Sequence, residues 1–249
     1  MTTSLPSWLA DIPASQPYPL AFATVSGAHL YGFPSRDSDV DLRGVHVLPV
    51  TRLVSLREPE ETITRDWVRL GVEVDLVTHD LGKFCRLLLR RNGYVLEQLL
   101  SPLVVASSEV HSALVELAPS LLTRNHAHHY LGFARTQWGL FVKTGELKPL
   151  LYTLRVLATG THLMVAGEVE ADLTRLLGYC PPYTPDLIAA KRSAEHGELP
   201  SDGPDLVRLE QDVDRMTGVL EEACAASRLP ESSGAFEAVD ALVVRSRLG

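Results

Sequence analysis

Two aspartates one residue apart, in Asp39-Val40-Asp41-Leu42, are the residues of this sequence best placed to do chemistry. On an extended strand alternate side chains share a face, so both carboxylates point one way while Val40 and Leu42 enter the core. Like charges held side by side at the start of an apolar strand repel and are costly to desolvate unless a cation joins them. Carboxylate oxygens are hard ligands suited to Mg²⁺, which is usually held by one or two carboxylates together with substrate phosphates. Upstream lies Ser26-Gly27-Ala28-His29-Leu30-Tyr31-Gly32. Its two glycines let backbone N–H groups come close to those phosphates.

This order of parts resembles the nucleotidyltransferase superfamily of DNA polymerase β, whose signature is a Gly-Ser turn, a later glycine, and Asp-x-Asp on a strand. It is more similar still to the YcgL/RlaP-type branch, a polymerase-β-like family associated with RNA repair. That branch's Ser-Gly-Ser-His-x-Tyr-Gly and Ser-Asp-x-Asp-x-Arg-Gly are matched by Ser26, Gly27, His29, Tyr31, Gly32, Ser38, Asp39, Asp41, Arg43 and Gly44. Ala28 stands where the branch has its second serine, so a hydroxyl expected at the triphosphate is missing.

The resemblance implies an α/β (α+β) fold, a mixed sheet with flanking helices followed by a C-terminal helical domain. It implies two Mg²⁺ ions, or Mn²⁺ in their place, an NTP substrate and an in-line displacement at the α-phosphorus. It assigns nucleotide binding to Ser26, Gly27, Ala28, His29, Gly32, Ser38 and Arg43, and the catalytic metals to Asp39, Asp41 and a third carboxylate on a neighbouring strand. The association with RNA repair implies an RNA 3′ end as acceptor. Antitoxin-type and antibiotic-modifying relatives imply a protein or small-molecule hydroxyl instead. Ala28 keeps a third reading open, a catalytically silent nucleotide- or RNA-binding module.

The third carboxylate is expected in Gly71-Val72-Glu73-Val74-Asp75-Leu76-Val77-Thr78, which alternates apolar and polar residues like a strand. Val72, Val74 and Leu76 take one face; Glu73, Asp75 and Val77 take the other. Asp75 is the choice, because the resembling branch has an aspartate followed by apolar residues here. Glu73, on the same face, is the alternative, and an exposed strand edge would explain both without chemistry.

Lys148, Tyr152 and Arg155 fall at i, i+4 and i+7, so a helix would place them on one face. Such a face can bind triphosphate oxygens and stack a base. The resembling branch has a similar helix, and the bland reading is an ordinary polar face. Arg124 and His129 match the short Arg-x4-His pattern of HEPN ribonucleases, and His126 and His129 are spaced to share a metal. A polar helix start explains both.

These groups need elements to hold them. Residues 1–19 contain four prolines and read as an irregular arm with one turn near Trp8–Leu9. Strands are expected at Asp39–Leu48, near Glu61–Arg65, and over 71–78; Ala21–Ser26 reads as a short apolar strand or the entry to a helix, and Pro34-Ser35-Arg36-Asp37 as a turn. Asp80 should cap a helix bearing Leu81, Phe84, Leu87 and Leu88. Asn92–Leu100 is similar to the branch's Asn-Pro-x-x-Leu-Glu-x-Leu, with Gly93 in place of proline and Glu97 read as a structural anchor. Helical spacing then dominates: Val110–Leu122, Arg124–Lys143, Leu147–Ala166, Val169–Leu177, Asp186–His196, Asp205–Arg228 and Phe236–Arg247. A catalytic domain over 1–108 and a helical domain over 109–249 follow from this shift.

At 249 residues with 45% hydrophobic and 22% charged side chains, the composition is that of a globular protein with a sizeable core. A net charge of −8 argues against a broad nucleic-acid surface. Basic stretches at Lys83, Arg86, Arg90 and Arg91, and from Arg124 to Arg155, leave room for a local cationic groove. Three widely spaced cysteines without a CxxC predict no disulfide framework or zinc site. With no secretory leader or membrane span legible, the expected location is the cytoplasm.

Overall fold

The computed structural model describes residues 5–35, 38–193, 199 and 203–249. Arg36 and Asp37 of the expected turn, and the end of the expected Asp186–His196 helix, lie outside them.

Among the described residues five strands form one mixed sheet in the order β3-β4-β2-β1-β5. They are β1 (Leu20–Val25), β2 (Val40–His46), β3 (Thr62–Arg69), β4 (Val72–Asp80) and β5 (Val104–Ala106). β2 and β4 run parallel at the centre, and the other neighbouring pairs are antiparallel. The parity read from the sequence holds in β4, where Val74 and Leu76 are buried and Glu73 is exposed. One sheet face carries Val25, Val40, Leu42, Val74 and Leu76, sealed by Leu9 and Ile12 of the N-terminal arm. Each such side chain contributes roughly 1.5–3 kcal/mol when fully buried. The arm itself forms 3₁₀ turns over Ser7–Asp11 and Pro13–Ser15.

The helices are α1 (Gly27–Leu30), α2 (Val50–Leu53), α3 (Leu81–Leu88), α4 (Gly93–Leu99), α5 (Glu109–Leu121), α6 (His126–Thr144), α7 (Leu147–Ala166), α8 (Thr184–Ser193), α9 (Leu206–Ala226) and α10 (Phe236–Leu248). The Asp80 carboxylate caps α3 by accepting from Gly82 N–H, and Asn92 caps α4 through Tyr94 N–H. No helix is long and apolar enough to cross a membrane among the described residues.

Three expectations are corrected. Val169–Leu177 is no helix: it holds two 3₁₀ turns, Leu173–Arg175 and Leu177–Tyr179. Asp172 accepts from the backbone and hydroxyl of Thr174, and Glu170 accepts from Asp172 N–H, so side chains compete with the helical ladder. The strand expected over Asp39–Leu48 begins at Val40 and ends at His46, leaving Asp39 just outside it. β5 and α2, of three and four residues, are too short to show a period and were not anticipated.

The chain forms two compact units: Met1–Gly27, Asp39–Leu121 and Ser233–Gly249 make the first, Ala28–Ser38 and Leu122–Ser232 the second. A single cut at 108/109 does not describe them. In the first unit α5 packs on β1, and α10 returns to pack on α5 and α3. There Arg247 Nη2 donates to Asp80 Oδ2 at 2.7 Å, with Asp80 only 1% exposed. In the second, α6, α7 and α9 form the body, with α8 against α7.

Candidate active site

The parallel pairing of β2 with β4 sets Asp41 directly opposite Asp75. Equal register places both carboxylates on one face, where they converge on a single nitrogen. Arg43 Nη2 donates to Asp41 Oδ1 at 2.7 Å and to Asp75 Oδ2 at 2.8 Å. The rest of the guanidinium is equally engaged. Nη1 donates to the carbonyls of Leu42 and Asp75, each at 2.9 Å, and Nε donates to Tyr94 Oη at 2.9 Å. All the donors of an arginine fork are thereby used. Burial works against the Arg43 charge, but Tyr94 and the two carboxylates outweigh it and hold the guanidinium above its ordinary pKa.

Next to the pair, β1 ends at Val25 and Ser26 follows. Its N–H donates to the Asp41 carbonyl at 2.8 Å. Its hydroxyl is buried and has no hydrogen-bond partner among the described residues. Gly27 follows with φ +62°, and a Cβ there would lie 1.8 Å from Asp41 Oδ2. Only glycine leaves room for that carboxylate.

Asp39 is exposed and immediately precedes β2. With Asp66, Trp67, Val68, Glu73, Val74 and Asp75 it lines a cavity of about 420 Å³. Asp66 is the cross-strand partner of Asp75. Among the described residues no three His, Cys, Asp or Glu side chains converge as a metal cage. The site is a pair plus one. Two hard carboxylates that already draw a cation between them fit a divalent ion completed by substrate phosphates, and the buried unpaired Ser26 hydroxyl beside them fits a phosphate oxygen.

The remaining expected residues belong to the second unit. Ala28 is buried there, and its carbonyl accepts from Phe33 N–H. His29 is half-buried. Gly32 has φ +84°, and a Cβ would meet Asp172 Oδ1 at 2.0 Å. Ser38 Oγ accepts from Ser35 N–H at 2.9 Å and pairs with Ser35 Oγ at 2.8 Å.

On α7 the three residues of one face differ in depth. Lys148 is exposed, Tyr152 half-buried and Arg155 only 2% exposed. The Arg155 guanidinium lies 3.6 Å from the centre of the Tyr31 ring, and Tyr152 meets Tyr31 edge-on at 5.4 Å. His129 lies against Tyr130 and Phe133. Burial, with the nearby charges of His126 and Arg155, brings its pKa down to about 4. Arg124 is tied to Glu231 at 2.9 Å, and His126 pairs with Thr123.

The bridging role of Arg43 was not read from the sequence, although its i, i+2 spacing from Asp41 signals a shared strand face. Tyr94, 51 residues further on, carries no sequence signal of its approach.

The family described as RNA repair pathway DNA polymerase beta family (RlaP) matches residues 1–245. An uncharacterized protein of Methanocaldococcus jannaschii is 33% identical over 159 residues, which are 61% of this chain and 63% of that protein. The chain thus spans less than two thirds of this relative's length. A nucleotidyltransferase-like protein from Exiguobacterium sibiricum, known from a crystal structure, aligns over 96% of this chain and 78% of its own at 16% identity. Its TM-score of 0.32 is too low to bear on the fold.

Proposed function

Because the chain belongs to the RNA repair pathway DNA polymerase beta family, we propose that it is a Mg²⁺-dependent nucleotidyltransferase. It moves a nucleoside monophosphate from an NTP to a hydroxyl, an RNA 3′ end in the first instance, and releases pyrophosphate. The observation that carries this reading is the convergence of Asp41 and Asp75 beside the Gly27 turn.

In this reading Asp41 and Asp75 hold the ion, with Asp39 as the third carboxylate at the cavity wall. The bound ion neutralises triphosphate charge and lowers the pKa of the attacking hydroxyl. The Ser26 hydroxyl and the backbone at Gly27 receive phosphate oxygens. Arg43 keeps both carboxylates aimed together. On the second unit, taken by itself, exposed Lys148 and the ring of Tyr152 offer a cation and a stacking face to a nucleotide, and buried Arg155 fixes that ring cluster.

A second reading has its own support. Four carboxylates and Trp67 line the cavity at Asp39, a wall that repels nucleic-acid phosphates and favours a small-molecule acceptor. The two readings separate on salt: transfer to RNA weakens steeply as salt rises, because phosphate contacts release counterions, and transfer to a small molecule does not.

The deciding experiment incubates the protein with each α-phosphate-labelled NTP, Mg²⁺ and total cellular RNA, beside the Asp39→Asn/Asp41→Asn variant. Label on RNA, absent from the variant, supports the first reading and names the nucleotide. Label on protein or a small molecule moves the acceptor. No label with any NTP overturns the enzyme and leaves a binding module.

A further inference from the structure

We propose that Arg43 is the resident counter-cation of the Asp41–Asp75 pair and governs its affinity for a divalent ion, which must compete with the guanidinium for the same carboxylate oxygens. This rests on the reading of that pair as metal ligands.

The geometry points this way on three counts. First, one nitrogen, Nη2, serves both carboxylates at 2.7 and 2.8 Å, so the guanidinium holds the position between the charges that an ion would take. Second, Arg43 is anchored independently of the carboxylates. Nε is held by Tyr94 Oη, and Nη1 by the Leu42 and Asp75 carbonyls. Nη2 can therefore yield the oxygens while the fork stays hooked to the sheet and to α4. Third, the pair is open on its outer side: the Asp75 side chain is 37% exposed and Asp41 28%, against 12% for Arg43. An ion arrives from solvent and meets carboxylates that already converge on one point. Without the arginine, the two charges would face each other across adjacent parallel strands and lose the cation they share.

A lysine would keep the charge but not the fork, because an ammonium is a compact point charge without the planar set of donors that reaches both carboxylates and both carbonyls.

The test is Mn²⁺ binding by the full chain, followed by electron paramagnetic resonance and, separately, by the melting temperature with and without the ion. Arg43→Gln should bind Mn²⁺ tighter than the unaltered protein by about tenfold or more, since a close positive charge is removed. Without metal it should melt lower, and saturating Mn²⁺ should close the gap. Arg43→Lys should stay nearer the unaltered protein. Tyr94→Phe, which frees Nε at a partly exposed ring, should give a smaller gain in the same direction.

Equal or weaker binding by Arg43→Gln with a native circular dichroism spectrum overturns the inference alone, provided the unaltered protein binds Mn²⁺. No binding by the unaltered protein or by either Arg43 variant overturns this inference and the metal-dependent reading together. If Arg43→Gln does not fold, Tyr94→Phe decides, and an unchanged affinity there overturns the inference.

Discussion

Asp41 Oδ2 lies where the β-carbon of any residue but glycine would fall at position 27, with 1.8 Å between them. The φ of +62° at Gly27 adds a second penalty for an L side chain. Gly27→Ala should therefore cost about 1–2 kcal/mol, and it should also push Asp41 off Arg43 and suppress transfer. Gly139, on the exposed face of α6 with nothing within 4 Å of an added Cβ, is the control. Gly139→Ala should be neutral or stabilising, up to about 1 kcal/mol. Thermal melting of both variants checks the contrast.

Removing either member of the bridged pair should abolish chemistry without unfolding the sheet. Asp41→Asn and Asp75→Asn are each expected to lower kcat by roughly 10³-fold, the loss of several kcal/mol of transition-state stabilisation. Glu73→Gln, altered at an exposed position on the same cavity, should stay near the unaltered rate. A collapse of the rate in Glu73→Gln, with Asp75→Asn active, would exchange their roles.

The Arg247–Asp80 pair ties α10 to the start of α3, and both partners are buried or nearly so. Breaking such a pair from one side typically costs ~3–5 kcal/mol. Arg247→Met should fall at the low end, because Nε and Nη1 of Arg247 are already buried without partners. Adding Asp80→Asn to that variant should cost less than Asp80→Asn does alone, since the ion pair is already gone and only the bonds from Leu48 and Gly82 are left to weaken. Urea unfolding of the three variants gives the coupling.

His129 sets an acid limit on the helical unit. Its folded pKa of about 4 lies below the ordinary 6.5. As pH falls through that interval the unfolded chain takes up the proton first, so stability present above pH 6.5 is lost progressively toward pH 4. Buried His126 of the same unit, also lowered, acts in the same sense, as does His46 in the first unit. The melting temperature should fall across this window, and His129→Phe should flatten the slope. An NMR titration should place the His129 midpoint near 4.

Much of the frame was legible because it rests on local periodicity. Strand parity placed Asp75 opposite the buried Val74 and Leu76, and the cap at Asp80 marked a helix start. Leu147–Ala166 was bounded correctly by its apolar spacing and Gly167. Illegible were relationships between distant residues. Register between β2 and β4, which brings Asp41 to Asp75, depends on which strands pair, and the approach of Tyr94 to Arg43 depends on how α4 packs. The side-chain turn at Asp172 and Thr174 overrode a helical pattern that was otherwise convincing. On α7 the i, i+4, i+7 spacing gave the shared face but not its depth, which the packing of Tyr31 against Arg155 decides.

The return of α10 to α3 and α5 has a consequence for biosynthesis. The unit bearing Asp41 and Asp75 remains unfinished until the ribosome has added Arg247, more than a hundred residues after α5. The helical segment from 122 to 232 is made in the interval, so the nascent sheet waits with the ground beneath α3 and α5 uncovered. Ser233 Oγ donates to the Ser120 carbonyl at 2.9 Å, which brings the two ends of that excursion side by side within their own unit. A stall or a stop late in translation therefore threatens the sheet, whose carboxylates precede the helical segment, before it threatens the helices that came after them.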